Sequence, residues 1–230
     1  MPAPCQPAPS FEEAVSRIRA ALAARPARTL AVPSFRAAGV AVPLLARPAG
    51  PTLLFTVRAE TLPHHRGEIS FPGGGCAAGE DAAAAALREA EEEVGLPPDR
   101  VELLGALDDL PSISRYVVTP LVAAVRDPPA VFVLAAAEVS EAFEIPLATL
   151  LDPGVRRAAL WDPGRLPPEV GDVLRDVPVP VEEIDPATGH WRVWSFHPAG
   201  ERNVWGLTAR ILAELLDRAF GGGAAAVAPP

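Results

Sequence analysis

The fold is decided by Phe71-Pro72-Gly73-Gly74-Gly75-Cys76-Ala77-Ala78-Gly79-Glu80-Asp81, the alanine run Ala82 to Ala86, and Leu87-Arg88-Glu89-Ala90-Glu91-Glu92-Glu93-Val94-Gly95-Leu96-Pro97. Alanine, leucine, arginine and glutamate favour helix, and Gly95 with Pro97 beyond it forms a stop signal, so Asp81 to Val94 is predicted helical. On that helix Glu89, Glu92 and Glu93 stand at i, i+3 and i+4 and share one face. Like charges at those spacings repel. Three crowded carboxylates therefore ask for a cation, and hard oxygen donors suit Mg²⁺ or Mn²⁺. An acidic solvated face is the plain alternative for such a helix. The glycine run before it permits a turn that brings backbone close to whatever the glutamates hold. Glu80 adds a further acid.

Outward from this centre, strands are expected at Val40–Ala46, Thr52–Arg58, Gly67–Phe71, Val101–Leu107, Tyr116–Val125, Val131–Leu134 and Trp191–Phe196. Pro43 predicts an edge or a bulge for the first of them. Phe11–Arg25 reads as an amphipathic helix capped by Ser10, with Ala14, Ile18, Ala21 and Leu22 on one stripe. Val204–Phe220 reads as a final helix that buries Leu207, Ile211 and Leu215. Glu138–Leu151 mixes a turn, a strand and a short helix, and residues 152–190 read as loop. Strands around one central helix, with terminal helices, give an α+β class. Residues 1–10 are expected to be flexible, 11–220 to form one domain, and the Gly/Ala/Pro tail 221–230 to be disordered.

Composition narrows the chemistry. The 230 residues carry 20 basic and 29 acidic side chains, a net charge of −9, and no lysine. That excludes a Schiff-base lysine and the lysine of a phosphate-binding P-loop. The acidic balance, without interleaved aromatic and basic residues, argues against nucleic acid as a partner. Cys5 and Cys76, far apart, suggest neither a disulfide framework nor a zinc site, and fit a cytoplasmic setting. No secretory leader is visible, and the longest apolar run, Ala130–Ala137, is too short to span a membrane. The 28 prolines are spread along the chain and mark loop ends and strand edges. A homodimer is the default expectation for oligomeric state.

The central stretch resembles the Nudix box: Gly74, five residues, Glu80, seven residues, Arg88-Glu89, Ala90 at an aliphatic position, Glu91, Glu92-Glu93, Val94, Gly95, Leu96. The resemblance implies a strand–loop–helix–loop motif on an α/β/α sandwich with a mixed sheet, and hydrolysis of a nucleoside diphosphate linked to another group. It also implies Glu89 and Glu93 as metal ligands, with Glu92 and the Gly73 carbonyl as further ones. Arg88 would orient a catalytic glutamate, with Glu92 and Glu80 in the catalytic set. The general base stays open among Glu89, Glu92, Glu141 and Glu144.

Upstream, Leu53-Leu54-Phe55-Thr56-Val57-Arg58-Ala59 and Gly67-Glu68-Ile69-Ser70-Phe71-Pro72-Gly73-Gly74 resemble the segment preceding the box in coenzyme A pyrophosphatases, with Phe55, Ala59 and Pro63 departing from it. Ser114–Pro120 and Val204–Leu212 resemble later segments of the same family. The implied substrate is coenzyme A (CoA) or a derivative, cut to 3′,5′-ADP and 4′-phosphopantetheine. Arg58 and Arg66 are the candidate phosphate contacts, since arginine suits bidentate phosphate binding. Trp161 and Trp191 are candidates for lining an apolar groove for the uncharged arm. ADP-ribose, a dinucleotide, an RNA end, or a Nudix-fold module without turnover are the alternatives.

Overall fold

The computed structural model describes residues 8–61, 67–165, 183–198, 202–221 and 226–227. The first helix, α1 (Phe11–Ala24), starts at a reciprocal cap: the Ser10 hydroxyl accepts from the Glu13 amide and the Glu13 carboxylate accepts from the Ser10 amide. Its Ala14, Val15, Ile18 and Leu22 are buried at helical spacing. The chain then enters β1 (Arg36–Leu45), β2 (Thr52–Arg58), the short β3 (Ile69–Ser70) and β4 (Gly73–Gly75), followed by α2 (Ala82–Val94). Next come β5 (Glu102–Ala106), β6 (Leu110–Pro111), β7 (Tyr116–Val125), β8 (Val139–Pro146) and one helical turn, α3 (Leu147–Leu150).

The main sheet runs β3-β2-β1-β7-β5, with β4 also on β1, β6 on β7 and β8 on β2. The β1–β7 pairing is parallel over the whole of β1, and the other pairings are antiparallel, so the sheet is mixed. Its two faces alternate in register. Val42, Leu44, Leu53, Phe55, Val122 and Ile145 point into one core. Ala41, Leu45, Leu54, Leu121 and Val125 point into the other, which α2 covers with Ala86, Ala90 and Val94. The first core is closed by α1 and by α4 (Gly206–Phe220), through Ile211, Leu212, Leu215 and Leu216. Helices on both faces make an α/β/α sandwich of α+β class, as the sequence predicts.

A second, smaller sheet is built from β9 (Arg156–Trp161), β10 (Trp191–Phe196), β11 (Val204–Trp205) and β12 (Ala226–Val227). It packs through Phe196 and Val204 onto α4 and the first core. Three sequence expectations change here. The stretch 152–190 contains β9, whose arginines and alanines have poor strand propensity; pairing with β10 and burial of Arg156 and Ala158 hold it as a strand. The final helix begins at Gly206, because Val204 and Trp205 pair with β10. Within the tail, Ala226–Val227 pair in parallel with β9, and the other residues of 222–230 lie outside the described residues.

Pro43 is also corrected. It sits in an interior strand, not at an edge, opposite Ala123 of β7. Ala46 donates its amide toward β7, whereas Ala41 donates to the Pro72 carbonyl on the other side. By alternation, the amide that Pro43 lacks would point to that other side. There β1 leaves β4 at Val40 and meets β2 only at Leu44, so no ladder bond is lost. Among the described residues no helix is long and apolar enough to cross a membrane.

Candidate active site

The glutamate helix is positioned by its ends and by small residues. Asp81 caps the start, accepting from the Ala84 amide at 2.8 Å. Gly95 closes it in the left-handed region, φ 67°, donating to the Glu91 carbonyl at 2.9 Å while Leu96 donates to Ala90 at 3.1 Å. Ala85, Ala86, Ala90 and Val94 form the stripe facing the sheet. Ala90, small for an aliphatic position, is fully buried there. The helix lies close to β1 because Gly39 has no side chain; a methyl at Gly39 would run into the Ala82 backbone carbonyl. That approach turns Glu89 and Glu93 toward the glycine strand β4 and leaves Glu91 and Glu92 outside.

At β4 the carboxylates meet backbone. The Gly73 amide donates to Glu93 Oε2 at 3.2 Å. A methyl on Gly74 would collide with the Glu89 carboxylate, so only glycine leaves room for it. Glu89, Glu93 and Glu138 each offer an oxygen, and these oxygens lie within 4.8 Å of one another. Glu93 is 4% exposed. Burial raises its carboxyl from the ordinary 4.5 to about 7. The Gly73 hydrogen bond and the Arg58 charge pull it down, and the Glu89 and Glu138 charges push it up. A buried carboxylate beside two others, held by a single amide, is the donor set that a hard divalent cation satisfies. On that chemistry the site fits Mg²⁺ or Mn²⁺.

Arg88 organises the rest. Its guanidinium donates to both Glu80 oxygens at 2.9 and 3.0 Å, to Glu89 at 2.8 Å, to Glu92 at 3.0 Å and to the Gly75 carbonyl at 3.2 Å. These partners hold it charged above its usual range, with the Glu80 bonds the largest cause. Arg88 and the Ala77 amide hold the Glu80 carboxyl below its ordinary value. Glu80 is thus a brace for Arg88, and Glu92, 60% exposed at its side chain, is tethered at the solvent side.

Glu138 was not among the sequence candidates. It precedes β8 by one residue, and its position comes from a loop that the sequence reads as the strand Val131–Leu134. Phe132 and Leu134 do pack on the second core while Val131 and Val133 are exposed, as strand alternation predicts. The backbone bonds go elsewhere, however: Val133 donates to the Val94 carbonyl and Ala135 to the Glu93 carbonyl. The loop is docked on the C-terminal carbonyls of α2. Glu138 then donates its amide to Ala135, and its carbonyl accepts from Ala59, at 2.8 Å each. This delivers its side chain to Glu93. Only apolar alternation is legible in the residues; the docking on α2 is not.

The other candidates separate clearly. Arg58 ends β2 on the α2 face of the sheet, and its buried Nε has no hydrogen-bond partner among the described residues. Arg66 lies outside the described residues, as do Pro63, His64 and His65. Glu141 is ion-paired with Arg202, and Glu144 is held by Arg47 at 2.6 Å and Thr52 at 2.5 Å. Trp161 and Trp191 are cross-strand partners in the second sheet, with Trp161 exposed.

Residues 35–193 match the family described as NUDIX domain. An uncharacterized Nudix hydrolase NudL of Cronobacter sakazakii is 37% identical over 183 residues, covering 78% of this chain and 81% of that protein. The protein of the same name from Escherichia fergusonii is 36% identical over 181 residues, with the same coverage. Among solved structures, a C. elegans Ap4A hydrolase binary complex overlaps 48% of this chain and 80% of its own, at 20% identity and a TM-score of 0.41.

Proposed function

This chain belongs to the NUDIX domain family, and on that premise we propose that it is a divalent-metal-dependent pyrophosphohydrolase of coenzyme A or its derivatives, releasing 3′,5′-ADP and 4′-phosphopantetheine. The observation that carries the reaction class is the cluster of Glu89, Glu93 and Glu138 against the glycine strand. The substrate reading rests on the segment from Leu53 to Gly74 and on Arg58, whose charge acts on Glu93.

A divalent cation held by Glu89, Glu93 and Glu138 would neutralise pyrophosphate charge and acidify water. Around it the chain supplies position. Arg88 keeps Glu89 turned toward β4 and holds Glu92 on the same helix face. Glu92 is the carboxylate that accepts the proton of the attacking water. Arg58, with Arg66 in the segment that follows, contacts the phosphates. Trp161 and Trp191 offer an apolar surface to the uncharged pantetheine arm.

The test is product analysis by mass after incubation with CoA, ADP-ribose and a dinucleotide, each with Mg²⁺, Mn²⁺ or chelator. Metal-dependent 3′,5′-ADP from CoA, with little cleavage of the others, is expected. Cleavage of the others but not of CoA overturns the substrate reading and keeps the reaction class. No cleavage of any of them overturns both.

A further inference from the structure

The glycines that meet Glu89 and Glu93 belong to a segment with little strand of its own. β1 and β2 pair at Leu44–Leu53 and Leu45–Thr52 and then part. Residues 69–75 fill the fork between them. Ile69 and Ser70 pair with β2, and Gly73, Gly74 and Gly75 pair with β1. Between the two pairings Phe71 is buried and stacks on Phe55 at 4.8 Å, and the Pro72 carbonyl accepts from the Ala41 amide at 2.8 Å. The Gly73 amide then reaches Glu93, and Gly74 leaves room for the Glu89 carboxylate. How deep this segment sits in the fork therefore sets where backbone meets the carboxylates.

The ladder leaves one group of the segment over. The Arg58 amide donates to the Glu68 carbonyl at 3.0 Å, so these two residues face each other as a bonded pair. Bonding groups alternate in direction along an antiparallel strand, which turns the Ile69 carbonyl away from β2. Among the described residues β3 has no other strand as a partner. The donor comes instead from a helix: the Thr208 hydroxyl donates to the Ile69 carbonyl at 2.9 Å. Thr208 stands in the first turn of α4 and is 8% exposed. The buried Thr56 adds a second hydroxyl, which donates to the Ser70 carbonyl at 3.2 Å.

α4 lies on the face of the sheet opposite α2. Ile211, Leu212, Leu215 and Leu216 anchor it in the first core, and Ile69 packs on that core as well. The β-branched Thr208 side chain has few rotamers, which limits where its hydroxyl can point. Thr208 thus acts on the carboxylates from behind the sheet. It holds Ile69, and through Ser70, Phe71 and Pro72 it sets Gly73 and Gly74 against Glu93 and Glu89.

We propose that Thr208 is a positioning residue of the metal centre: its hydroxyl, donated to the Ile69 carbonyl, holds residues 69–75 at the depth that presents the glycine backbone to Glu89 and Glu93. The inference rests on the reading of Glu89, Glu93 and Glu138 as the cation site and adds to it a residue from the far face of the sheet. Without the hydroxyl the Ile69 carbonyl loses its partner, and the segment shifts to find another. The arrangement that fits the cation is then one of several, and the apparent Kd rises by the inverse of its population.

The experiment measures the Kd for Mn²⁺ alone, well below the melting temperature, in the wild type, Thr208→Val, Thr208→Ser and Ile211→Val. Thr208→Val keeps the shape and removes the donor; with the fitting arrangement populated about a fifth of the time, its Kd rises about fivefold. Thr208→Ser restores the donor and should bind as the wild type does. Ile211→Val takes a methylene from the buried face of the same helix, so it should lower the melting temperature and leave the Kd unchanged. A merely structural role for Thr208 would not give that split. Thr208→Ala, which has nothing to press on the carbonyl, takes the place of the valine variant if that one does not fold. An unchanged Kd without the hydroxyl, a serine variant as weak as the valine one, or the same weakening in Ile211→Val would overturn the proposal. A wild type that binds no Mn²⁺ would overturn the metal centre, and this inference with it.

Discussion

Glu93→Gln should stabilise the metal-free protein while abolishing its activity. Glu93 is buried, lies beside Glu89 and Glu138, and has its carboxyl raised from 4.5 to about 7. A raised folded-state value means that the native state holds a proton the unfolded chain has already lost. Between pH 4.5 and 7 the metal-free wild type therefore loses stability as pH rises, and above 7 the whole penalty is present. The difference corresponds to about 3 kcal/mol. Glutamine keeps the shape, and its amide oxygen still accepts from Gly73, but it carries no charge to desolvate. In chelator at pH 8 the variant should melt about 6–12 °C above the wild type; at pH 4.5 the two should nearly coincide. A thousandfold excess of Mn²⁺ over Kd should reverse the order at pH 8, since only the wild type gains binding energy, about 4.1 kcal/mol at that excess. Thermal unfolding by circular dichroism at the two pH values reads all of this. A variant that is less stable than the wild type at pH 8 in chelator would refute the reasoning, because it would mean that ionised Glu93 is stabilised by the fold.

Glu89→Gln should cost at least about a hundredfold in turnover with its melting temperature within a few degrees, as initial rates and a melt would check. Gly39→Ala and Gly74→Ala should part company. The first drives a methyl into the Ala82 backbone and should lose about 2 kcal/mol or more of stability by chemical denaturation. The second meets only the end of the Glu89 side chain, so it should lose activity and little stability. Asp108→Ala leaves Arg25, Arg28 and Arg218 around a site 5% exposed and should destabilise the protein by about 3–5 kcal/mol, read by urea unfolding.

The capping role of Asp81 was not read, whereas the helix, its stop at Gly95 and the carboxylates Glu89 and Glu93 were legible because helical spacing and a terminal glycine are local signals. So was the edge-to-edge order of charges on Arg88, since Glu92 lies one turn on. Tertiary pairing was not legible. The strand Arg156–Trp161 exists because β10 and a buried face demand it, against its own propensities. Pro43 reads as an edge signal, yet it lies at a fork in the sheet where its missing amide has no partner to lose. Glu138 joins the site through a loop whose alternation mimics a strand but whose amides bond the end of α2. Gly39 carries no local signal at all; its role is visible only once α2 lies across β1.

The most direct measurement is the Mn²⁺ affinity of the wild type, Glu89→Gln and Glu138→Gln, followed by electron paramagnetic resonance of the free ion at pH 8. The carboxylate cluster predicts saturable binding by the wild type and at least a tenfold weaker Kd in each variant, Glu138→Gln included. Affinity unchanged in both variants would contradict the assignment of Glu89, Glu93 and Glu138 as the metal centre.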